Sequence, residues 1–358
     1  MSARTLGQVR VVGTGLLGTS IGLGLSSLAV DVVLDDVSPS TLALAVDYGA
    51  GRRAATGDAP AVVVVAVPPD RTADVVAAEL AAFPGALVTD VASVKAGVLA
   101  ALREQDAPVE RYVGSHPMAG RERSGPIAAR ADLFLGRPWV VAPHEASTTE
   151  QVAALEALAR DLGAVPVVLP AERHDAAVAV VSHAPQLVSS LLAARLVDAP
   201  DHATDLAGQG LRDTTRIAAS DPALWVQILS ANAERVAPVL AALRDDLGTV
   251  LDALADPAAP GAQRALADAL AAGNSGVARI PGKHGVDLAT TTLTVLIDDR
   301  PGQLARLLTE IGELQVNLED MRLEHSPGAP IGIVEVSVLP EAAAGLETDL
   351  ERRGWRVA

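Results

Sequence analysis

His116 stands in Gly114-Ser115-His116-Pro117-Met118-Ala119-Gly120, after a β-branched run and flanked by glycine and proline. A histidine in that setting has no obvious core to fill. With an ordinary pKa near ~6.5 it can take a proton from a substrate hydroxyl as a hydride leaves. A loop histidine without chemistry fits the same local sequence. Upstream, Gly13-Thr14-Gly15-Leu16-Leu17-Gly18 is a complete G-x-G-x-x-G between Val9–Val12 and a helix-length segment. In that pattern Gly13 permits the tight turn, Gly15 lets a pyrophosphate approach the backbone, and Gly18 lets helix and strand pack closely. Leu16 opens the helix whose free N–H groups and dipole meet the phosphates. Asp35 and Asp36 end the next β-branched run, about 20 residues past Gly15, where a carboxylate accepts from ribose hydroxyls. Either acid can do this, and Asp36 is preferred. No Arg follows within the next ten residues to hold a 2′-phosphate, so NAD is expected rather than NADP. Pro68, in Ala66-Val67-Pro68-Pro69, ends a strand beside the expected cleft and serves equally as a cofactor contact or a plain loop.

His174-Asp175 and Ser182-His183 raise the question of a metal. Nine residues at ~100° each put the two histidines on opposite faces of a straight helix. No H-E-x-x-H or other ligand spacing is present, so no metal is expected. His183 is the better candidate for a cleft because Pro185 bends the chain nearby. Arg216, in Asp213-Thr214-Thr215-Arg216, carries a guanidinium suited to a carboxylate. Spacing alone makes it a solvated helix residue.

These residues need elements to hold them. From residue 8 to about 165, Val-rich runs alternate with helix-length segments. Strands are expected at Gln8–Val12, Val30–Asp35, Ala61–Val67, Ala86–Thr89, Arg111–Gly114, Trp139–Ala142 and Val165–Leu169. Runs apolar on both faces suit a parallel sheet covered by helices, which makes residues 1–169 a doubly wound α/β domain of Rossmann type. Residues 170–284 read as all-helical: one helix over Glu172–Val197, then a pattern from Trp225 to Leu254 begun by the Asp221-Pro222 cap, then a short helix Gln263–Ala271. So much apolar helical surface in so small a segment calls for a second copy as cover, hence a homodimer. Residues 285–358 run strand Thr292–Ile297, helix Gly302–Leu314, strands Val316–His325 and Gly332–Leu339, helix Glu341–Arg353 and strand Trp355–Val357, an order that is ferredoxin-like.

Composition narrows the class. The 358 residues carry a net charge of −16, which disfavours nucleic acid as a partner, and zero Cys, which excludes disulfides and thiolate chemistry. No signal-peptide core and no apolar run of ~18 residues is present, so the expectation is a cytoplasmic globular protein with no membrane partner.

Five motifs in order, GTGLLGTS, VTDVASVK, GSHPMAG, HDAAVAVVSHAPQ and LRDTTRIAASDPALW, closely resemble the prephenate/arogenate dehydrogenase family over residues 8–254. The resemblance implies oxidation of prephenate or arogenate with loss of carbon dioxide from the ring, in tyrosine biosynthesis. It makes His116 the catalytic histidine on the ring 4-hydroxyl and places Ser93 on the same hydroxyl and near the nicotinamide. It assigns Arg216 to a substrate carboxylate, and His183 and Gln186 to the substrate side, although some relatives carry His at the position of Gln186. A β-hydroxyacid dehydrogenase would need a Lys in the helical region, and residues 170–254 contain none. A non-catalytic aromatic amino-acid sensor is the remaining alternative. Asp298-Asp299-Arg300-Pro301-Gly302 and Val316-Asn317-Leu318 resemble the ACT domain. That resemblance implies an amino-acid effector, with tyrosine as the leading ligand, held by Gly302 and Asn317; an ACT domain kept only for assembly is the alternative.

Overall fold

The computed structural model describes residues 3–120, 125–200, 202–280, 290–325 and 331–357. The chain divides into two compact units, Met1–Ala199 with Thr214–Ala242, and Pro200–Asp213 with Leu243–Ala358.

In the first unit, β1 (Val9–Val12), β2 (Val32–Asp35), β3 (Arg52–Arg53), β4 (Val62–Val65) and β5 (Leu87–Asp90) form a parallel sheet in the order β3-β2-β1-β4-β5. Val9, Val11 and Val64 pack with Ile21, Leu25 and Trp139, while Val63 and Val65 pack with Val76, Leu80 and Tyr112. Each such side chain, fully buried, contributes about 1.5–3 kcal/mol. The exception in β1 is Arg10, which sits between Glu79 (2.8 Å) and Asp35 (2.6 Å) and so is buried as a paired charge.

A second sheet joins β6 (Gly114–Pro117), β7 (Pro138–Ala142) and β8 (Val165–Val168), with β6 antiparallel and β8 parallel to β7. The strand expected at Arg111–Gly114 starts only at Gly114. Val109–Arg111 forms one 3-10 turn, and Tyr112 and Val113 bridge to Val88 of β5 before β6 turns to β7. His116 thus lies inside a strand rather than beyond one.

The helix expected over Glu172–Val197 runs Ala171–Val178 and Ala184–Ala194, joined by a π turn over Ala179–His183. A wide turn just before Pro185 accommodates the donor that proline lacks. By length and composition this helix could cross a membrane, but its buried side carries His174, Asp175, His183, Gln186 and Ser189. The pattern from Trp225 to Leu254 is two helices, Pro222–Ala231 and Ala233–Ala255. Asp221 caps the first by accepting from the Ala223 N–H at 2.9 Å. The break falls at Asn232, whose side chain is buried, and not at Pro238, which lies within the second helix.

In the second unit a helix extends over Ala262–Val277, longer than the expected Gln263–Ala271. β9 (Thr291–Asp298), β10 (Asp320–His325), β11 (Ile331–Val338) and β12 (Arg356–Val357) form an antiparallel sheet in the order β10-β11-β9-β12. Helices Gln303–Glu313 and Pro340–Arg352 close a core of Val295, Leu307, Val334, Val336, Leu346 and Leu350. Burial alternates along β11, as expected for a sheet with one covered face. The strand expected from Val316 starts at Asp320, because Val316 and Leu318 pack against the core as part of the connection. The segment Pro281-Gly282-Lys283-His284-Gly285, expected to join the helical region to the last one, lies outside the described residues.

Candidate active site

The carboxyl ends of β1, β4 and β5 bring the predicted cofactor residues to one edge. Gly13 has φ +94° and a Cβ on it would strike the Ala66 carbonyl. A Cβ on Gly18 would overlap the Gly13 carbonyl oxygen. Both are demanded by the turn itself. Gly15 differs: a Cβ there meets no protein atom within 4 Å, so it would project into open space. Leu16 is the first residue of helix Leu16–Ser27, and Pro68 precedes helix Pro69–Ala82. The two acids separate by role. Asp35 is committed to Arg10, whereas Asp36 accepts from the Thr14 N–H (2.6 Å) and hydroxyl (2.9 Å) and from the Ser38 N–H (2.7 Å). Asp36 is therefore the carboxylate held against the glycine loop.

His116 reaches this edge through its neighbour. Ser115 Oγ donates to the Asp90 carbonyl (2.9 Å) and accepts from Thr89 Oγ1 (3.1 Å), which fixes β6 beside the end of β5. Its ring is nearly buried and its Nδ1 lies 2.9 Å from His174 Nε2. His174 Nδ1 lies 2.7 Å from Asp175 Oδ1. Asp175 also accepts the N–H groups of Lys95 (2.8 Å) and Ala96 (2.9 Å). Burial, then the neighbouring His174, Lys95 and His183, push the His116 pKa well below its ordinary value. Burial alone would raise the Asp175 carboxyl, but the hydrogen bonds from His174 and the two backbone amides hold it below the usual range. A neutral imidazole is an acceptor ready for a proton, which is the state a general base needs.

Beneath the Ser93 loop, Lys95 Nζ pairs with Asp90 Oδ1, while Asp90 Oδ2 accepts from the Tyr112 hydroxyl at 2.6 Å. All three side chains are almost wholly buried. Ser93 itself lines a cavity of about 300 Å³ with Pro69, Asp70, Gly97, Ile228 and Ala231. Among the described residues, no histidine borders that cavity.

His183 is buried, with Nδ1 3.0 Å from Asn232 Nδ2 and its ring edge-on to Trp225. Burial lowers its pKa to about 4. Asn232 Nδ2 also donates to the Asp175 carbonyl at 2.8 Å, so one side chain reaches both histidine neighbourhoods. This corrects the opposite-faces argument: the i→i+5 turn at Ala179–His183 takes in an extra residue and rotates His183 back toward His174. Gln186 is buried and donates to the Ile217 carbonyl at 2.9 Å. It thereby ties the Arg216–Ala218 turn, which bears the exposed Arg216, to the Ala184–Ala194 helix. Asp213 accepts from Gln209 Nε2 at 2.8 Å.

Gly302 (φ +89°) precedes helix Gln303–Glu313, and Asn317 follows it, 3.5 Å from Glu319 through Nδ2. They lie at opposite ends of an 11-residue helix, about 16 Å long at 1.5 Å per residue. One chain does not bring them together.

Nothing in the sequence joins His174 and Asp175 to His116, or Asp90, Lys95 and Tyr112 to one another. A signal existed: an acid and a base, His174-Asp175, adjacent on a helix and followed by the Ala/Val run of residues 176–181. Their partners are 58 and 80 residues away, which no local pattern reports.

The chain matches the family model "Prephenate dehydrogenase, nucleotide-binding domain" over residues 23–168 and "Prephenate dehydrogenase, dimerization domain" over residues 170–268. The first match begins beyond the glycine fingerprint. A probable prephenate dehydrogenase, NovF of Streptomyces niveus, is 36% identical over 353 residues, covering 96% of this chain and 98% of that one. The cyclohexadienyl dehydrogenase of Zymomonas mobilis is 29% identical over 260 residues, covering 69% and 88%. Among solved structures, prephenate dehydrogenase from A. aeolicus in complex with hydroxyphenyl propionate and NAD+ is similar at TM-score 0.66 and 25% identity, covering 76% of this chain and 98% of that one. Synechocystis arogenate dehydrogenase is similar at TM-score 0.62 and 26% identity, covering 75% and 99%. With the near full-length likeness to NovF and both family models in chain order, this chain belongs to the prephenate dehydrogenase family.

Proposed function

We propose that the chain is an NAD-dependent dehydrogenase that converts prephenate to 4-hydroxyphenylpyruvate and carbon dioxide. The observation that carries this reading is His116, buried, held neutral, and fixed in β6 beside the end of β5. The space over Gly15 and the Asp36 carboxylate fit a dinucleotide without a 2′-phosphate. Gly13, Gly15, Leu16, Gly18, Asp36, Pro68 and Ser93 would hold it. When bound, NAD accepts the hydride from C4 of the ring. His116 takes the proton of the 4-hydroxyl as the C4–H bond breaks, and Ser93 orients that hydroxyl. The C–C bond to the ring carboxylate then breaks, its electrons complete the aromatic ring, and the proton returns from His116 to the phenolate oxygen. Atoms and charge close without a metal or an outside base. Arg216 receives a substrate carboxylate, Gln186 positions its turn, and His183 with Trp225 walls the substrate side.

The Synechocystis likeness favours arogenate as the second substrate to be tried. The domains proposed are 1–169 for the cofactor, 170–284 for substrate and dimerisation, and 285–358 as a ferredoxin-like ACT domain. The β10-β11-β9-β12 order with two helices on one face supports the last assignment. Since Gly302 and Asn317 stand at opposite ends of one helix, a tyrosine effector would need Gly302 of one copy and Asn317 of another. A cytoplasmic homodimer is the proposed form.

NADH and NADPH formation followed with prephenate and with arogenate, each with and without tyrosine, tests the whole reading. Reduction of NAD with prephenate, altered by tyrosine, is expected. Reduction with neither substrate removes the dehydrogenase assignment, and indifference to tyrosine removes the effector.

A further inference from the structure

Asp175, His174 and His116 form a buried chain of which the scheme above uses only the last member. At its inner end Asp175 accepts three hydrogen bonds, two from backbone N–H groups and one from His174. A carboxylate so surrounded is an anion, and an anion has no proton to give. The hydrogen between Asp175 and His174 therefore sits on His174 Nδ1. A neutral His174 then has a bare Nε2, and this is the atom 2.9 Å from His116 Nδ1. For that contact to be a hydrogen bond, His116 must carry its own hydrogen on Nδ1. Its Nε2 is left as the acceptor.

We propose that His174 and Asp175 are positioning residues that lock His116 in the Nδ1–H tautomer, with Nε2 as the proton-accepting atom, and that share the charge while the proton is held there. The logic is that of a carboxylate orienting a catalytic imidazole, lengthened by one histidine. The other groups facing the chain favour the same outcome. His174, Lys95 (paired with Asp90) and His183 all oppose a positive charge on His116; the anion hydrogen-bonded into the chain is Asp175, through His174. Asn232 pins the inner end by donating to the Asp175 carbonyl.

The proposal rests on His116 as the base, but its test does not require turnover, so the two can fail separately. In the full-length protein labelled with 15N-histidine, long-range proton–nitrogen spectra report which ring nitrogens of the seven histidines bear hydrogen. His116→Asn assigns one set by its disappearance. The expected spectrum near pH 7.5 has hydrogen on Nδ1 and a bare Nε2 for both His116 and His174. Hydrogen on His116 Nε2 in the wild-type protein overturns the proposal. Asp175→Asn supplies a second reading. Its carboxamide can donate to His174 Nδ1, which reverses both tautomers and caps His116 Nε2. Turnover should then fall at least ~100-fold with KM within a few-fold, and the spectrum should reverse. Turnover within ~3-fold of wild type, with the tautomer unchanged, would refute it.

Discussion

A base that must wait uncharged near neutral pH needs its conjugate acid disfavoured, and burial would do this for His116 in the proposed role. With the pKa below 6.5, the acidic limb of the kcat/KM profile should fall below pH 6.5; a limb at or above that value would contradict the burial argument. His116→Asn should lower turnover by about 10²–10⁴-fold and leave NAD affinity, measured by calorimetry, nearly intact. The same buried histidines make the fold sensitive to acid. Above pH 6.5 neither the folded nor the unfolded chain protonates His183. As pH falls from 6.5 toward its folded value of about 4, only the unfolded chain takes the proton, so stability is lost across that window. The melting temperature should accordingly drop between pH 7 and pH 5, and a flat profile would remove His183 as a buried neutral group. Lys95→Met leaves Asp90 as a buried charge without its cation and should cost about 3–5 kcal/mol in urea unfolding.

At the level of elements, two glycines of one motif should fail in different ways. Gly18→Ala forces the helix off the Gly13 carbonyl, so both melting temperature and NAD affinity should fall. Gly15→Ala meets no protein atom, so unfolding should move by no more than about 0.5 kcal/mol while NAD binding weakens at least ~10-fold. Equal losses in both variants would mean that Gly15 serves the fold alone. Gln186→Ala releases the Ile217 carbonyl and should raise the substrate KM several-fold through Arg216, with turnover little changed. The fingerprint was legible in the sequence because glycines answer to local geometry, and the Val runs of β1, β2 and β4 because both their faces are buried. The bend was legible from Pro185, but its form as a π turn that brings His183 to Asn232, 49 residues away, was not. The shift of β6 was hidden for the same reason: its start is set by Val88 and its course by β7, both distant in sequence. Asp36 over Asp35 was a preference until the Arg10 pair separated them, and an Arg inside a Val-rich strand was the available clue.

On the scale of the whole molecule, charge and apolar surface pull against each other. Leu243, Leu247, Leu251 and Leu254 recur every three or four residues along helix Ala233–Ala255, and each is about half exposed. Val180, Val181, Val188, Leu191 and Leu192 are likewise exposed on the Ala171–Ala194 helix. Apolar stripes of this length are seldom left to water. A second copy would cover them, but it brings a further net charge of −16, and two such copies repel over roughly a Debye length, about 10 Å at 0.1 M salt. Association by apolar faces against that repulsion should strengthen as salt screens it, the reverse of an interface built on ion pairs. Light scattering should therefore give twice the 36.5 kDa chain mass, with a dimer constant that tightens between 10 mM and 200 mM salt. Leu247→Glu with Leu251→Glu should leave a species of 36.5 kDa at all salt concentrations. A wild-type monomer at tens of micromolar, or a dimer weakened by salt, would mean that these stripes are not what joins the copies.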